Sequence, residues 1–182
     1  MLEIVILGRG GQGAQTAGNQ LAKALFARGQ FVQTFSTYGG ARRGTPVTAS
    51  LRADKNPIRL RCDITSANAM LCFDDSLLNE GFLATGADDA LIVVNSAQPP
   101  DAFKAFGNRR IIPIDGREIA RRNNMGKVVN SALLGAFVAL VGQPDIETMC
   151  AIIKDTAPAK VSENIAACRE AYGLAASQLE VS

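Results

Sequence analysis

Histidine and tryptophan are absent from this sequence of 182 residues, and aromatic side chains make up only 5% of it. Without histidine the chain lacks the commonest general base and metal ligand, and every Ser-His or Cys-His nucleophile pair. Chemistry by the chain alone would have to run on carboxylates or lysine. With so few aromatics, aliphatic side chains and alanine must fill the core. Long apolar runs are missing too, since none approaches the roughly 20 residues that cross a bilayer. Met1-Leu2-Glu3-Ile4 leads straight into a strand-like segment without the layout of a signal peptide. The expectation is a cytoplasmic protein with no membrane span.

Cysteine is sparse and scattered. Cys62, Cys72, Cys150 and Cys168 form no CxxC pair. They read as small buried hydrophobes in a reducing compartment rather than ligands of zinc or an iron–sulfur cluster. Acidic residues are missing from one long stretch: residues 4–53 contain no Asp or Glu, yet hold Arg9, Lys23, Arg28, Arg42, Arg43 and Arg52. That stretch should present a positive field to something anionic.

The apolar fraction of 47% is enough for a real core in one domain. Leu2–Leu7 reads as a buried parallel strand. Residues 14–28 carry Ala17, Leu21, Ala24 and Leu25 at helical spacing, with Gly29 as a C-cap candidate. Phe31–Phe35 is a second strand. Strand, glycine turn, helix and strand make a right-handed crossover in a parallel sheet. Residues 36–45 are a polar, glycine-rich loop. Residues 47–53 and 58–61 alternate and read as a hairpin, which would make the sheet mixed. Further strands are expected at 69–73, 91–94 and 111–114, and helices at 74–83, from 115 to 123, from 145, and at 161–176. Residues 131–141 are apolar almost all round, so that helix is either enclosed by its own domain or covered by a partner. No linker or repeat divides the chain.

Gly8-x-Gly10-x-x-Gly13 follows a strand and precedes a helix. Glycines allow a sharp turn and close approach of a ligand, and the unpaired N–H groups opening the helix favour a phosphate. NAD fails a check, because no acid for the ribose hydroxyl appears before Asp54. Arg42 and Arg43 suit a ligand with an extra ribose phosphate, either NADP or coenzyme A, and spacing does not choose between them.

Gly8-x-Gly10-Gly11-Gln12-Gly13 resembles the GxGGQG signature of the gamma subunit, or fused gamma domain, of the 2-oxoacid:ferredoxin/acceptor oxidoreductases. Tyr38-Gly39-x-x-Arg42-x-Gly44, Leu51-Arg52, Pro57-Ile58 and Asn130-x-x-Leu133-x-Gly135-Ala136 match as well. The resemblance covers nearly the whole chain and implies a single Rossmann-like α/β domain over 1–182, a mostly parallel sheet flanked by helices. It implies a subunit inactive alone, working with alpha-, beta- and delta-type partners. Those partners would carry thiamine diphosphate, magnesium and [4Fe–4S] clusters and pass electrons to ferredoxin or NAD. It also associates this chain with coenzyme A, which gives Gly8, Gly10, Gly11, Gln12, Gly13, Tyr38, Arg42, Arg43 and Arg52 as candidate binding residues and no catalytic or metal-binding residue.

Ala41 stands where the family usually has an acid, and Thr45 where it often has a second glycine. Pyruvate is the commonest substrate of the family, and 2-oxoglutarate and aryl-glyoxylates are others; these departures lean towards a less common member, such as a phenylglyoxylate enzyme. Two other classes fit the sequence less well. A stand-alone NADP-binding oxidoreductase would need Tyr38, Tyr172 or a lysine as proton donor, and no YxxxK pairing occurs. A nucleic-acid module has only the basic stretch in its favour, so no nucleic acid is expected.

Overall fold

The computed structural model describes residues 1–38 and 44–180. Six strands form one sheet: β1 (Leu2–Arg9), β2 (Phe31–Tyr38), β3 (Pro46–Asp54), β4 (Ala67–Cys72), β5 (Gly86–Asn95) and β6 (Arg110–Ile114). Their order is β2-β3-β1-β4-β5-β6. β1, β4, β5 and β6 run parallel, while β3 is antiparallel to both β1 and β2. The helices are α1 (Ala14–Ala27), α2 (Glu80–Leu83), α3 (Gly116–Arg122), α4 (Asn130–Val141), α5 (Ile146–Thr156) and α6 (Val161–Glu180). This is the single α/β unit expected, with a mostly parallel, mixed sheet.

Alternation along β1 builds two layers. Ile4 and Ile6 enter a large core with α1 and α3 to α6, whereas Val5 and Leu7 enter a smaller one with Ile64, Met70, Leu77, Phe82, Leu83 and Phe103. α4 lies at the centre of the larger layer, and every residue from Asn130 to Leu140 is buried. The domain itself therefore encloses this helix; α6, α5, α1 and α3 pack around it. At Gly135 a Cβ would stand 2.0 Å from the backbone oxygen of Cys168, so α4 and α6 meet backbone to backbone.

Three local expectations are corrected. β1 and β2 are parallel but not adjacent, because β3 lies between them and pairs with both along their full lengths. The partner of β3 is not 58–61, which forms no strand. Both sides of β3 are already taken, by β1 and by β2, so 58–61 cannot pair with it. Residues 74–83 are not one helix: a 3-10 turn at Asp75–Leu77 precedes α2, and Asn79 restarts the chain by accepting from the N–H of Phe82. The two ends of the Asn79 amide act on both sides of the break: Nδ2 donates to the Leu77 carbonyl of the turn, and Oδ1 caps the helix.

Cys72, Cys150 and Cys168 are buried as expected, but Cys62 is exposed. Burial pushes the Cys72 thiol up to about 12, which keeps it protonated.

Replacing Gly135 by Ala should force α4 and α6 apart. We expect a loss of about 1–3 kcal/mol, the scale of core overpacking, as a lower urea midpoint. An unchanged midpoint would mean the two helices separate without cost.

Candidate functional site

The glycine turn sits where β1 ends, at the carboxyl edge of the sheet. Chain connections diverge there: β1 leads to β2 on one side, while β4, β5 and β6 extend the other. Crevices at such a switch point are the usual ligand sites of open α/β sheets. Gly8 admits the tight packing, since a Cβ there would come within 2.8 Å of the Cβ of Ala14. Gly13 has φ 89° and caps α1 in the left-handed region. A Cβ on Gly13 would lie 2.1 Å from Nδ2 of Asn130, at the start of α4. That same Nδ2 donates to the Gly13 carbonyl at 3.0 Å. Gly11 also has positive φ, 95°.

Gln12 departs from the expected role of an amide aimed at a ligand. Its Oε1 accepts from the Arg9 N–H at 2.7 Å, and its Nε2 donates to Asp74 at 3.0 Å. Both ends of the amide brace the turn. Arg9 also donates to Asp74 at 3.1 Å, and the Ser76 hydroxyl does so at 2.6 Å. Partial burial alone would raise the Asp74 pKa, but the hydrogen bonds from Ser76, Gln12 and Arg9 outweigh it and hold the carboxyl at about 2.

The loop after β2 is tied to this turn. Gly10 N–H donates to the Thr45 carbonyl at 2.8 Å, and Gly44 N–H donates to the Gly10 carbonyl at 3.2 Å. Arg42 and Arg43 lie outside the described residues, as does the side chain of Tyr38. The described segment that follows them, Gly44-Thr45, is bonded to Gly10.

Arg52 is corrected as a candidate. Its guanidinium is 2% exposed and donates to Glu3 at 2.6 Å and to the carbonyls of Cys62 and Asp63 at 2.8 and 3.2 Å. It also stacks 5.6 Å from the Phe35 ring. Because Arg52 pairs with Glu3 at the start of β1, it stands at the opposite end of the sheet from the glycine turn. A saturated, buried guanidinium there has no donor to give a ligand in the crevice.

A cleft of about 920 Å³ opens beside the turn. Gly11, Gln12 and Gly13 form one wall, and Arg117, Arg121 and Lys127 lie opposite. No acidic side chain lines it. A smaller space of about 300 Å³ lies on the other side of the turn, against Arg9 and Val47. Among the described residues, no group of three or more His, Cys, Asp or Glu could hold a metal ion. No described helix is long and apolar enough to cross a membrane.

The family described as pyruvate ferredoxin/flavodoxin oxidoreductase matches residues 3–174. The chain belongs to the pyruvate ferredoxin/flavodoxin oxidoreductase family. It is 38% identical over 150 residues to pyruvate synthase subunit PorC of Methanosarcina barkeri, covering 82% of each chain. It is 37% identical over 177 residues to the pyruvate/ketoisovalerate oxidoreductases common subunit gamma of Pyrococcus abyssi, covering 94% of this chain and 96% of that one. The crystal structure of pyruvate oxidoreductase subunit PORC from Thermotoga maritima superposes with a TM-score of 0.83 at 26% identity, over 94% of this chain and 95% of that one. The oxidoreductase relatives are themselves subunits, matched along most of their lengths. This chain is accordingly a gamma-type subunit of a 2-oxoacid:ferredoxin oxidoreductase, not a whole enzyme.

Sequence reasoning found the glycine turn of this subunit but missed Arg117, Arg121, Lys127, Gln20 and Asp74. They come from α1, α3, two loops and no common motif. Asn130 alone carried a signal, as the first residue of the late matching segment.

The depressed Asp74 pKa sets a pH test. A carboxyl lowered in the folded state contributes stability above its ordinary value of 3.8, and that stability is lost as pH falls towards about 2. Asp74→Asn should flatten the stability–pH curve between those values in denaturation series. An acid limb like that of the unaltered protein would show that Asp74 does not anchor the turn.

Proposed function

We propose that this subunit contributes part of the coenzyme A site of a thiamine diphosphate- and iron–sulfur-dependent 2-oxoacid oxidoreductase. The observation that carries the reading is the acid-free, cation-rimmed cleft at the switch point, floored by the glycine turn. A phosphate-rich molecule fits it in charge. It also fits in size, since ligand pockets run to about 1,000 Å³. Coenzyme A supplies the thiol that accepts the acyl group. The residues of this chain would hold its phosphates: the N–H groups opening α1 behind Gly10, Gly11 and Gly13, and Arg42 and Arg43 in the loop anchored at Gly10.

Thiamine diphosphate, magnesium and [4Fe–4S] clusters belong, in this reading, to alpha-, beta- and delta-type partners, with ferredoxin as acceptor. Supporting this, the sequence has neither a Gly-Asp-Gly motif nor cluster-spaced cysteines. The stand-alone NADP reading gives way, because the relatives are subunits of larger enzymes. The phenylglyoxylate expectation rested on Ala41 and Thr45. The relatives carry pyruvate and ketoisovalerate in their names, and those 2-oxoacids are the reading kept.

The test is Arg42→Ala in the assembled complex. The Michaelis constant for coenzyme A should rise roughly 10- to 100-fold, the scale of a charge-assisted hydrogen bond. Decarboxylation measured without coenzyme A should persist. Release of the variant from the complex on gel filtration, or loss of the coenzyme A-independent half-reaction, would instead make Arg42 a subunit contact.

A further inference from the structure

We propose that the segment from Lys55 to Arg61, with Phe31 beside it, is a docking surface for a partner subunit that presents carboxylates around an apolar centre. The surface lies at the end of the sheet where β1 and β2 begin, away from the glycine turn. The inference rests on the chain being a subunit and not on the coenzyme A reading.

The first ground is the way the segment is held. Buried Arg52 donates to the carbonyls of Cys62 and Asp63, and to Oε1 of Gln33 at 3.2 Å. Gln33 in turn donates from Nε2 to the Leu60 carbonyl at 2.9 Å. A buried ion pair such as Arg52 with Glu3 adds little stability over apolar packing of the same volume. What this one adds is position, because it fixes residues 60–63 against the sheet although they join no strand. Leu51-Arg52 and Pro57-Ile58, two sequence blocks that the glycine turn leaves without a use, fall beneath and within the segment so held.

The second ground is what the segment displays. Phe31 and Leu60 are 48% and 44% exposed. Phe31 stands two residues before Gln33 on the same face of β2, and Gln33 holds Leu60, which makes the two apolar side chains neighbours. Lys55, Arg59 and Arg61 are exposed around them, and none has a hydrogen bond or ion pair among the described residues. Residues 55–61 contain no acid. An apolar centre rimmed by arginine is the anatomy of a protein–protein contact. β2, beside it, is the outer strand of the sheet, eight residues long, with neither a charge nor a proline. Bare outer strands are guarded by one or the other, and a strand with neither calls for a cover. A second copy of the chain is a poor occupant, since a two-fold contact would set these cations against themselves. Carboxylates around an apolar centre are complementary to the surface, and relatives of this chain are subunits of larger enzymes.

The experiment compares the full chain, free and in the assembled complex. Cys62 is exposed next to the surface and reports on it, while the other three cysteines are buried. A maleimide should label Cys62 readily in the free chain and slowly in the complex. The double variant Arg59→Glu, Arg61→Glu should weaken the affinity of the chain for its complex at least about tenfold, since it sets carboxylates against carboxylates. Leu60→Asp should do the same. Arg110→Glu, at an exposed position of β6 on the opposite edge of the sheet, should leave assembly unchanged. All three substituted positions of the surface are exposed, so the urea midpoints of the free variants should match that of the unaltered chain. Complexes that the variants still form at high concentration should keep the Michaelis constant for coenzyme A. Unaltered affinity of the surface variants, or equal labelling of Cys62 in the free chain and the complex, would overturn the proposal. So would variants that assemble normally but lose binding to an RNA oligonucleotide, which would make this a nucleic-acid surface.

Discussion

The contact between Gly13 and Asn130 governs both the core and the crevice. A turn that leaves β1 and enters α1 within five residues must pass close to the start of α4. It can do so because Gly13 has no Cβ and tolerates φ 89°. Asn130 then fills the space, and its Nδ2 satisfies the Gly13 carbonyl. One hydrogen bond thereby fixes the relation of two helix starts that are 117 residues apart in the chain. Because both are held at one point, their unpaired N–H groups converge on the same cleft.

The position of α4 follows from the same constraint. A helix of such even hydrophobicity cannot present any side to water, so it must be surrounded. Gly135 lets α6 approach it backbone to backbone, and the other helices close the remaining sides. The polar residues at its first turn, Asn130 and Ser131, are buried but satisfied: Asn130 by the Gly13 carbonyl and Ser131 by Asn164. Burial of the helix and exposure of its start to a cavity are thus two consequences of one packing arrangement.

Charge is distributed in space quite differently from its distribution along the sequence. The acid-free stretch 4–53 left its basic residues without local partners, which favoured a free positive field. In the fold, Arg9 meets Asp74, Arg28 meets Asp145 and Arg52 meets Glu3. Arg52 serves as a buried clamp holding residues 62 and 63 to the sheet. The described cations left unpaired beside the crevice, Arg117 and Lys127, come from outside that stretch, near α3.

Strand and helix periodicity, the glycine turn and the paired motifs at 8–13 and 38–44 were enough to place this chain in its fold class and family. Such signals are local: alternation, helical spacing and the glycines of a tight turn each depend on neighbours within a few residues. The insertion of β3 between β1 and β2, the break at Asn79 and the enclosure of α4 were decided in three dimensions. So were the removal of Arg52 from the candidate site, the engagement of Gln12 by Asp74, and the gathering of Gln20, Arg117 and Lys127 around one cleft. Each depends on which distant segments meet, and a side chain becomes a ligand contact or an internal brace only when folding determines whether a partner from elsewhere in the chain has already satisfied it.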